Sequence, residues 1–114
     1  MDDKLKYYLE MVSRKRFYPI RKDGKLIGFI TYYLCNGNIE KYINKEPYEI
    51  VDDSINGDVI YIDHLIGSYG ETYAKDSLSI WFGLKEYFKK QFPHIHRIEF
   101  VDGRKDKKYI SIRR

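Results

Sequence analysis

The sequence is poor in cysteine and has no long apolar run. Cys35 is the single cysteine among 114 residues, which excludes a disulfide within the chain and every metal site built on several thiolates. No apolar run approaches the roughly 20 residues that span a bilayer. The opening stretch MDDKLKYYLE carries charges throughout, unlike a signal peptide. These absences predict a cytoplasmic protein without a membrane span.

Histidine is also scarce. Of the three histidines in the chain, His94 and His96 follow Pro93 with the period-two spacing that puts side chains on one face of a strand. A zinc site needs further ligands at suitable positions. We therefore expect a solvated loop here and no metal.

The composition and the charge pattern indicate one domain with an uneven surface. Hydrophobic residues make up 43% of the chain and aromatic residues 17%, enough for the core of a single domain over residues 1–114. Residues 1–34 carry eight basic and four acidic side chains, residues 35–71 two basic and eight acidic, and residues 97–114 seven basic and three acidic. An acidic middle would attract a basic substrate, and the basic ends an anionic one. The alternative is ordinary solvated surface.

Residues 57–101 predict one βαβ unit. A buried strand over residues 59–66 precedes a glycine-bearing bend over residues 67–70, an amphipathic helix over residues 77–92 and a second strand over residues 97–101. Two parallel strands need a crossover of this length. The unit is the centre of the predicted fold.

The crossover helix also predicts where a ligand would bind. Asp76 or Ser77 is its expected N-cap, and Pro93 follows its last turn. In α/β proteins the ligand usually lies beyond the carboxyl end of the strand that feeds such a unit, here residues 63–70. A strand, a turn and a helix also form in proteins that bind nothing there. The buried face of the helix repeats at spacings of three and four and consists of Ile80, Trp81, Leu84, Phe88 and Phe92.

The N-terminal third predicts a helix and a hairpin. Residues 17–34 form two strands that turn at Asp23 and Gly24, where positive φ is required. Pro19 lacks an amide hydrogen, which favours an edge strand. The helix before this hairpin has an apolar stripe that we expect to be buried: Leu5, Tyr8, Leu9 and Val12.

The remaining segments complete the fold. Residues 38–44 predict a short helix, residues 46–58 an acidic loop or a weak strand, and residues 109–112 a terminal strand. The order α, β, β, acidic segment, β, α, β, β predicts an α/β (α+β) domain. It has a mixed central sheet with one βαβ crossover, flanking helices and edge strands through which a homodimer would form.

This order and three short motifs resemble the GNAT superfamily of N-acyltransferases. The motifs are DGKLIGFI, GDVIYIDHLIGSYG and a helix ending KKQFPHIHRIEFVDG. The last two are similar to the toxin-activating lysine acyltransferases, which fatty-acylate hemolysin-type toxins. Over residues 20–110 the resemblance implies a single GNAT-like domain that moves an acyl group from acyl-CoA or acyl-carrier protein to a lysine or a small-molecule amine. The usual acyl-CoA signature is absent from the bend LIGSYGETYAKDS, and SRKRFYPI lacks the N-terminal histidine of the toxin-activating group.

Acyl transfer to an amine needs a base, an oxyanion site and an acid for the leaving thiolate. The strand aspartate of the family corresponds to Asp63, which we predict as the base. Tyr69 is the candidate acid, with Tyr73 as the alternative, among twelve tyrosines. His64 would point to the opposite face of a regular strand, so it would form no dyad with Asp63. Alternatively, Asp63 is a structural hydrogen-bonding partner and the glycines serve only the bend. Amides at the helix entrance would bind the acyl donor, with Ile66, Gly67, Ser68, Gly70 and Glu71 as the donor-binding residues.

The competing function is binding without catalysis. A GNAT-like protein that has lost the reaction, of the small Tyr- and Lys-rich kind that phages encode, would contact nucleic acid or a protein partner through its basic ends. The C-terminal stretch RKDKKYISIRR combines positive charge with an aromatic ring for such contacts. No helix-turn-helix, zinc-finger or RNP signature indicates sequence-specific recognition.

Overall fold

Three helices and five strands make up the described part of the chain. The computed structural model gives the backbone of residues 2–37, 39–67, 70–102 and 108–113 and, within these ranges, the side chains of residues 2–37, 39–67 and 80–100. The helices are α1 (Asp3–Ser13), α2 (Glu40–Ile43) and α3 (Gly70–Gln91). The strands are β1 (Phe17–Lys22), β2 (Lys25–Cys35), β3 (Val59–Gly67), β4 (Arg97–Asp102) and β5 (Lys108–Arg113).

The strands form one mixed sheet in the order β1-β2-β3-β4-β5. Neighbours are antiparallel except β3 and β4, which run parallel with α3 between them in the chain. The predicted βαβ unit, the mixed sheet and the α+β class are therefore confirmed. Within the ranges that the structure describes, no helix combines the length and the hydropathy needed to cross a bilayer.

The first hairpin turns where its sequence predicts. Asp23 and Gly24 have φ values of 52° and 80°, the left-handed conformation of the two central residues of a type I′ turn. The strand that contains Pro19 lies at one edge of the sheet, where a missing amide hydrogen is tolerated. Both predictions are confirmed because they depend on local backbone chemistry.

A hydrophobic core lies on each face of the sheet. Leu84 and Phe88 of α3 pack in one core, and Tyr7 and Met11 of α1 pack in the other with Tyr42 of α2. Side chains alternate along a strand, so β2 contributes Tyr32 and Leu34 to the first core and Tyr33 and Cys35 to the second.

The predicted buried face of α1 is wrong for three of its four residues; the fourth, Tyr8, is partly buried against the core. Tyr7 and Met11 are fully buried, whereas Leu5, Leu9 and Val12 are 52%, 52% and 53% exposed. The helix is turned so that the hydroxyl of Tyr7 reaches polar groups on the sheet, a preference that apolar spacing does not encode. An apolar row is left on the surface of α1.

The start of α3 also differs from its prediction. The helix begins at Gly70, so Asp76 and Ser77 lie inside it and neither is its N-cap. The stretch ETYAKD contains Glu, Ala and Lys, which are good helix formers, and the helix extends back over it. The end at Gln91 agrees with the prediction, as does the burial of Phe88.

Residues 44–58 contain no helix or strand, so the acidic segment is a loop. Its second half is fixed to the sheet. Asp53 accepts a hydrogen bond of 2.7 Å from the Leu34 amide and forms an ion pair with Arg16. Gly57 approaches the backbone of β2 so closely that a Cβ would lie 2.6 Å from a carbonyl oxygen.

Candidate active site

A β-bulge in β3 shapes the candidate site. Thr31 of β2 lies opposite His64 and Tyr32 lies opposite Ile62, which leaves Asp63 as an extra residue in β3. Bulges re-aim side chains, and here the side chains of Asp63 and His64 both contact α1. The prediction that they point to opposite faces is wrong, because it assumed an uninterrupted strand.

The Asp63 carboxylate is engaged by two donors. Its side chain is 8% exposed, and its Oδ2 lies 2.8 Å from the Nζ atom of Lys45. The Tyr7 hydroxyl donates to the same oxygen at 2.5 Å. Burial, followed by the charge of Asp63, raises the pKa of Tyr7 well above its usual range, so this phenol keeps its proton. Asp63, the predicted base, is therefore a buried carboxylate that already holds a cation.

Lys45 fills the space in front of Asp63. Its side chain is 2% exposed, and Nζ lies 5.2 Å from the ring centroid of Tyr7 and 5.9 Å from that of Tyr33. The ammonium also donates to two carbonyl oxygens of its own loop, each at 3.1 Å. A carboxylate, two aromatic rings and two carbonyls together compensate the burial of a primary ammonium.

His64 links the sheet to α1 and to the acidic loop. Its Nε2 lies 2.6 Å from the Pro47 carbonyl oxygen, and its Nδ1 lies 3.1 Å from the Tyr8 hydroxyl. A carbonyl only accepts, so Nε2 carries a proton, and in the neutral ring Nδ1 accepts from Tyr8. Nε2 is also 3.8 Å from Asp63. The ring of Tyr48 covers the imidazole, with centroids 5.3 Å apart.

Three further phenols hold their protons near the site. Burial is the main cause that raises the pKa of Tyr8, Tyr33 and Tyr61 to about 12 in each case, and the charge of Asp63 contributes to all three. The carboxylate is thus surrounded by neutral aromatic groups. Such surroundings strengthen its attraction for a cation.

β3 and β4 separate beside this cluster. Their ladder ends at the pair Tyr61 and Glu99, whereas β3 continues to Gly67 and β4 to Asp102. Asp63 follows the last paired residue of β3 by two positions. The parting of the central strands therefore begins next to the carboxylate.

The predicted donor-binding residues fall at the junction of β3 and α3. Ile66 and Gly67 are the exposed last residues of β3, and Gly70 and Glu71 belong to the first turn of α3 rather than to a bend. First-turn amides have no acceptor within their own helix. The predicted Ser68 and Tyr69 lie outside the described residues.

A groove of about 630 Å³ opens between α1 and the acidic loop, next to Lys45. Three carboxylate side chains and one ammonium line it, so its charge favours cations. The acidic segment thus borders the candidate site. The lining residues are Asp3, Lys6, Glu46, Pro47, Tyr48, Glu49 and Ile50.

Sequence reasoning missed the residues that surround Asp63. Tyr7 carries no signal of its own, because it is one of twelve tyrosines. Lys45 carries a weak one: Lys41 and Lys45 are the two basic residues between positions 35 and 71, a stretch with eight acidic side chains. A lysine isolated among carboxylates is a candidate for a specific ion pair.

Among the residues that the structure describes, no group of three or more His, Cys, Asp or Glu side chains is arranged to hold a metal ion. No protein-family model and no curated protein matches the chain. The candidate site is therefore interpreted from its own geometry and charge.

Proposed function

We propose that this protein is a GNAT-like N-acyltransferase that moves an acyl group from acyl-CoA or acyl-carrier protein to an amine. Its main support is a primary ammonium held on Asp63 next to the point where β3 and β4 separate. A buried carboxylate binds an amine in its cationic form. An extended ligand can lie between strands that no longer pair with each other. An amine acceptor and an extended acyl donor would meet at Asp63.

The donor would lie beside β3, beyond the last residue that pairs with β4. The pantetheine arm of acyl-CoA is extended and carries amide groups, which suit the edge of a strand. Ile66 and Gly67 end β3, and the first-turn amides of α3 at Gly70 and Glu71 follow it in the chain. Unpaired amides at a helix N-terminus suit the pyrophosphate of CoA.

The reaction needs one proton transfer at each end. The bound ammonium first gives one proton to Asp63, which frees the lone pair of its nitrogen. The amine nitrogen then attacks the thioester carbonyl carbon, the C–N bond forms, the C–S bond breaks, and a second proton of the nitrogen ends on the departing thiolate. Asp63 would release the first proton to solvent after the product leaves. Tyr69 stays the candidate acid for the thiolate.

Thermal unfolding with and without donor tests this function. A ligand that binds the folded state at a hundred times its Kd stabilises it by about 2.7 kcal/mol, or about 10 °C in Tm for a domain of this size. We expect such a shift with acetyl-CoA, a long-chain acyl-CoA or acyl-carrier protein. Free CoA is the control that separates nucleotide binding from acyl recognition. An unchanged Tm with all three donors would contradict the proposal.

The exposed row on α1 favours a second function, which is protein binding without catalysis. Leu5, Leu9 and Val12 lie on one side of the helix and are each more than half exposed. Leu9→Lys would abolish binding through this row and leave the acyl-donor shift unchanged.

Nucleic-acid binding would instead give an affinity that falls steeply with salt. The C-terminal basic side chains that would contact nucleic acid are not among the side chains that the structure describes.

A further inference from the structure

Lys45 occupies a site that suits an ammonium group, and its ion pair there is one of the contacts that fix the loop that carries it. The Lys45 loop (residues 45–50) contacts the rest of the protein through the Lys45 ion pair with Asp63, the Pro47 carbonyl on His64 and the Tyr48 ring on α1 and His64. At its end, Ile50 packs against the core that contains Tyr7. Immediately after it, the Val51 carbonyl accepts a 2.8 Å hydrogen bond from Arg14. The Lys45 loop therefore lies between α2, which precedes it, and the hydrogen bond at Val51, which follows it.

We infer that the Asp63, Tyr7 and Tyr33 cage is the binding site for an alkylammonium substrate, and that Lys45 occupies it as an internal substitute that the substrate displaces. The inference rests on the proposed function, because this substrate is the acceptor amine of the acyl transfer. The lysine side chain ends in the same alkylammonium group that a polyamine or a substrate lysine would present. The cage therefore recognises its own loop and an external amine by the same contacts.

Displacement of Lys45 would cost little electrostatic free energy, because one ammonium replaces another on Asp63. An incoming alkylammonium restores the ion pair with Asp63 and the cation–π contacts with Tyr7 and Tyr33, so the cage is never left empty. Lys45 would move into solvent beside the groove, where the carboxylates of Glu46 and Glu49 are near it. The same carboxylates suit a second positive charge on the substrate, which favours spermidine over a simple monoamine.

The first test removes the internal substitute. Lys45→Ala deletes the outer part of the lysine side chain, which is the size of n-propylamine, and is expected to lower Tm by about 10–20 °C. At ten times its Kd, n-propylamine should then raise the Tm of the variant by about 5 °C. Propan-1-ol at the same concentration has the same shape without the charge and should not. Lys41→Ala is the matched control, since Lys41 is an exposed lysine stacked on Tyr42.

The second test uses the wild-type protein and needs no variant to fold. Spermidine should increase amide hydrogen exchange in residues 45–50 and leave exchange in β2 and β3 unchanged, because it releases the Lys45 loop. Nα-acetyllysine methylamide presents the same group as a protein lysine. Faster exchange in residues 45–50 with either compound supports the ammonium site. The compound with the larger effect shows whether the substrate is a polyamine or a protein lysine.

Two results would contradict the inference. If n-propylamine fails to stabilise a folded Lys45→Ala protein, or if neither compound changes exchange in residues 45–50, the ion pair is structural only. Amine binding without any acyl-donor shift would keep the ammonium site and remove both the proposed transfer and the acceptor role of the amine. The two proposals therefore fail separately.

Discussion

Asp63→Ala is expected to lower the free energy of unfolding by about 3–5 kcal/mol, the usual effect of removing one partner from a buried ion pair. The ammonium of Lys45, 2% exposed and 2.8 Å from the carboxylate, would be left in an aromatic cage without its counter-charge. Tyr7 would lose the acceptor of its 2.5 Å hydrogen bond as well. Urea unfolding of wild type and variant measures the difference.

Two comparisons separate the ion pair from other effects of this substitution. A double variant with Asp63→Leu and Lys45→Met removes both charges and is expected to recover most of the loss, because apolar groups of similar volume replace buried pairs well. Glu10→Ala, which breaks the exposed 3.7 Å pair with Arg14, should cost less than about 0.5 kcal/mol. If Asp63→Ala costs as little as Glu10→Ala, the carboxylate is not what stabilises the buried ammonium of Lys45.

The protein is expected to unfold cooperatively between pH 10 and pH 12. Burial raises the pKa of Tyr33 and of Tyr61 to about 12 in the folded protein, whereas an unfolded tyrosine titrates near about 10. Between these values the unfolded chain has released protons that the folded protein keeps, so stability falls as pH rises. Each such phenol lowers the free energy of unfolding by about 1.4 kcal/mol per pH unit. Tyr7, Tyr32 and Tyr42 are raised further and add to the loss.

Circular dichroism and tyrosinate absorbance, followed together against pH, measure this transition. The two signals should change together, because most buried phenols ionise only when the chain unfolds. Tyr61→Phe removes one of the titrating groups and is expected to make the fall in stability between pH 10 and pH 12 less steep than in wild type. Tyrosinate absorbance that develops fully while the circular dichroism stays native would contradict the account.

Features that depend on neighbouring residues could be predicted from the sequence. The turn at Asp23 and Gly24 follows from the backbone freedom of those residues, and the buried face of α3 follows from helical spacing around Leu84 and Phe88. The parallel pairing of β3 with β4 follows from the length of the crossover. Asp63 was singled out by a family resemblance and by its place on the central strand.

Features that depend on partners distant in the chain could not be predicted. Two apolar stripes compete on α1, and the one with Tyr7 is buried because its hydroxyl has polar partners on the sheet. The bulge that turns Asp63 and His64 to one face is a shift in the pairing of β2 with β3, two strands that are distant in the chain. The ion pair with Lys45 then follows from the path of the acidic loop. No local pattern encodes these three arrangements.

An Asp63 variant must be compared at a temperature where it is folded, because the same carboxylate stabilises the domain. Formation of the amide product, followed by mass spectrometry after incubation with acyl-CoA or acyl-carrier protein and spermidine, tests the central claim most directly. We expect acylated spermidine together with free thiol, and a rate about 100-fold lower for folded Asp63→Asn. Absence of amide product with every donor and with both spermidine and Nα-acetyllysine methylamide, from protein that is folded, would contradict it.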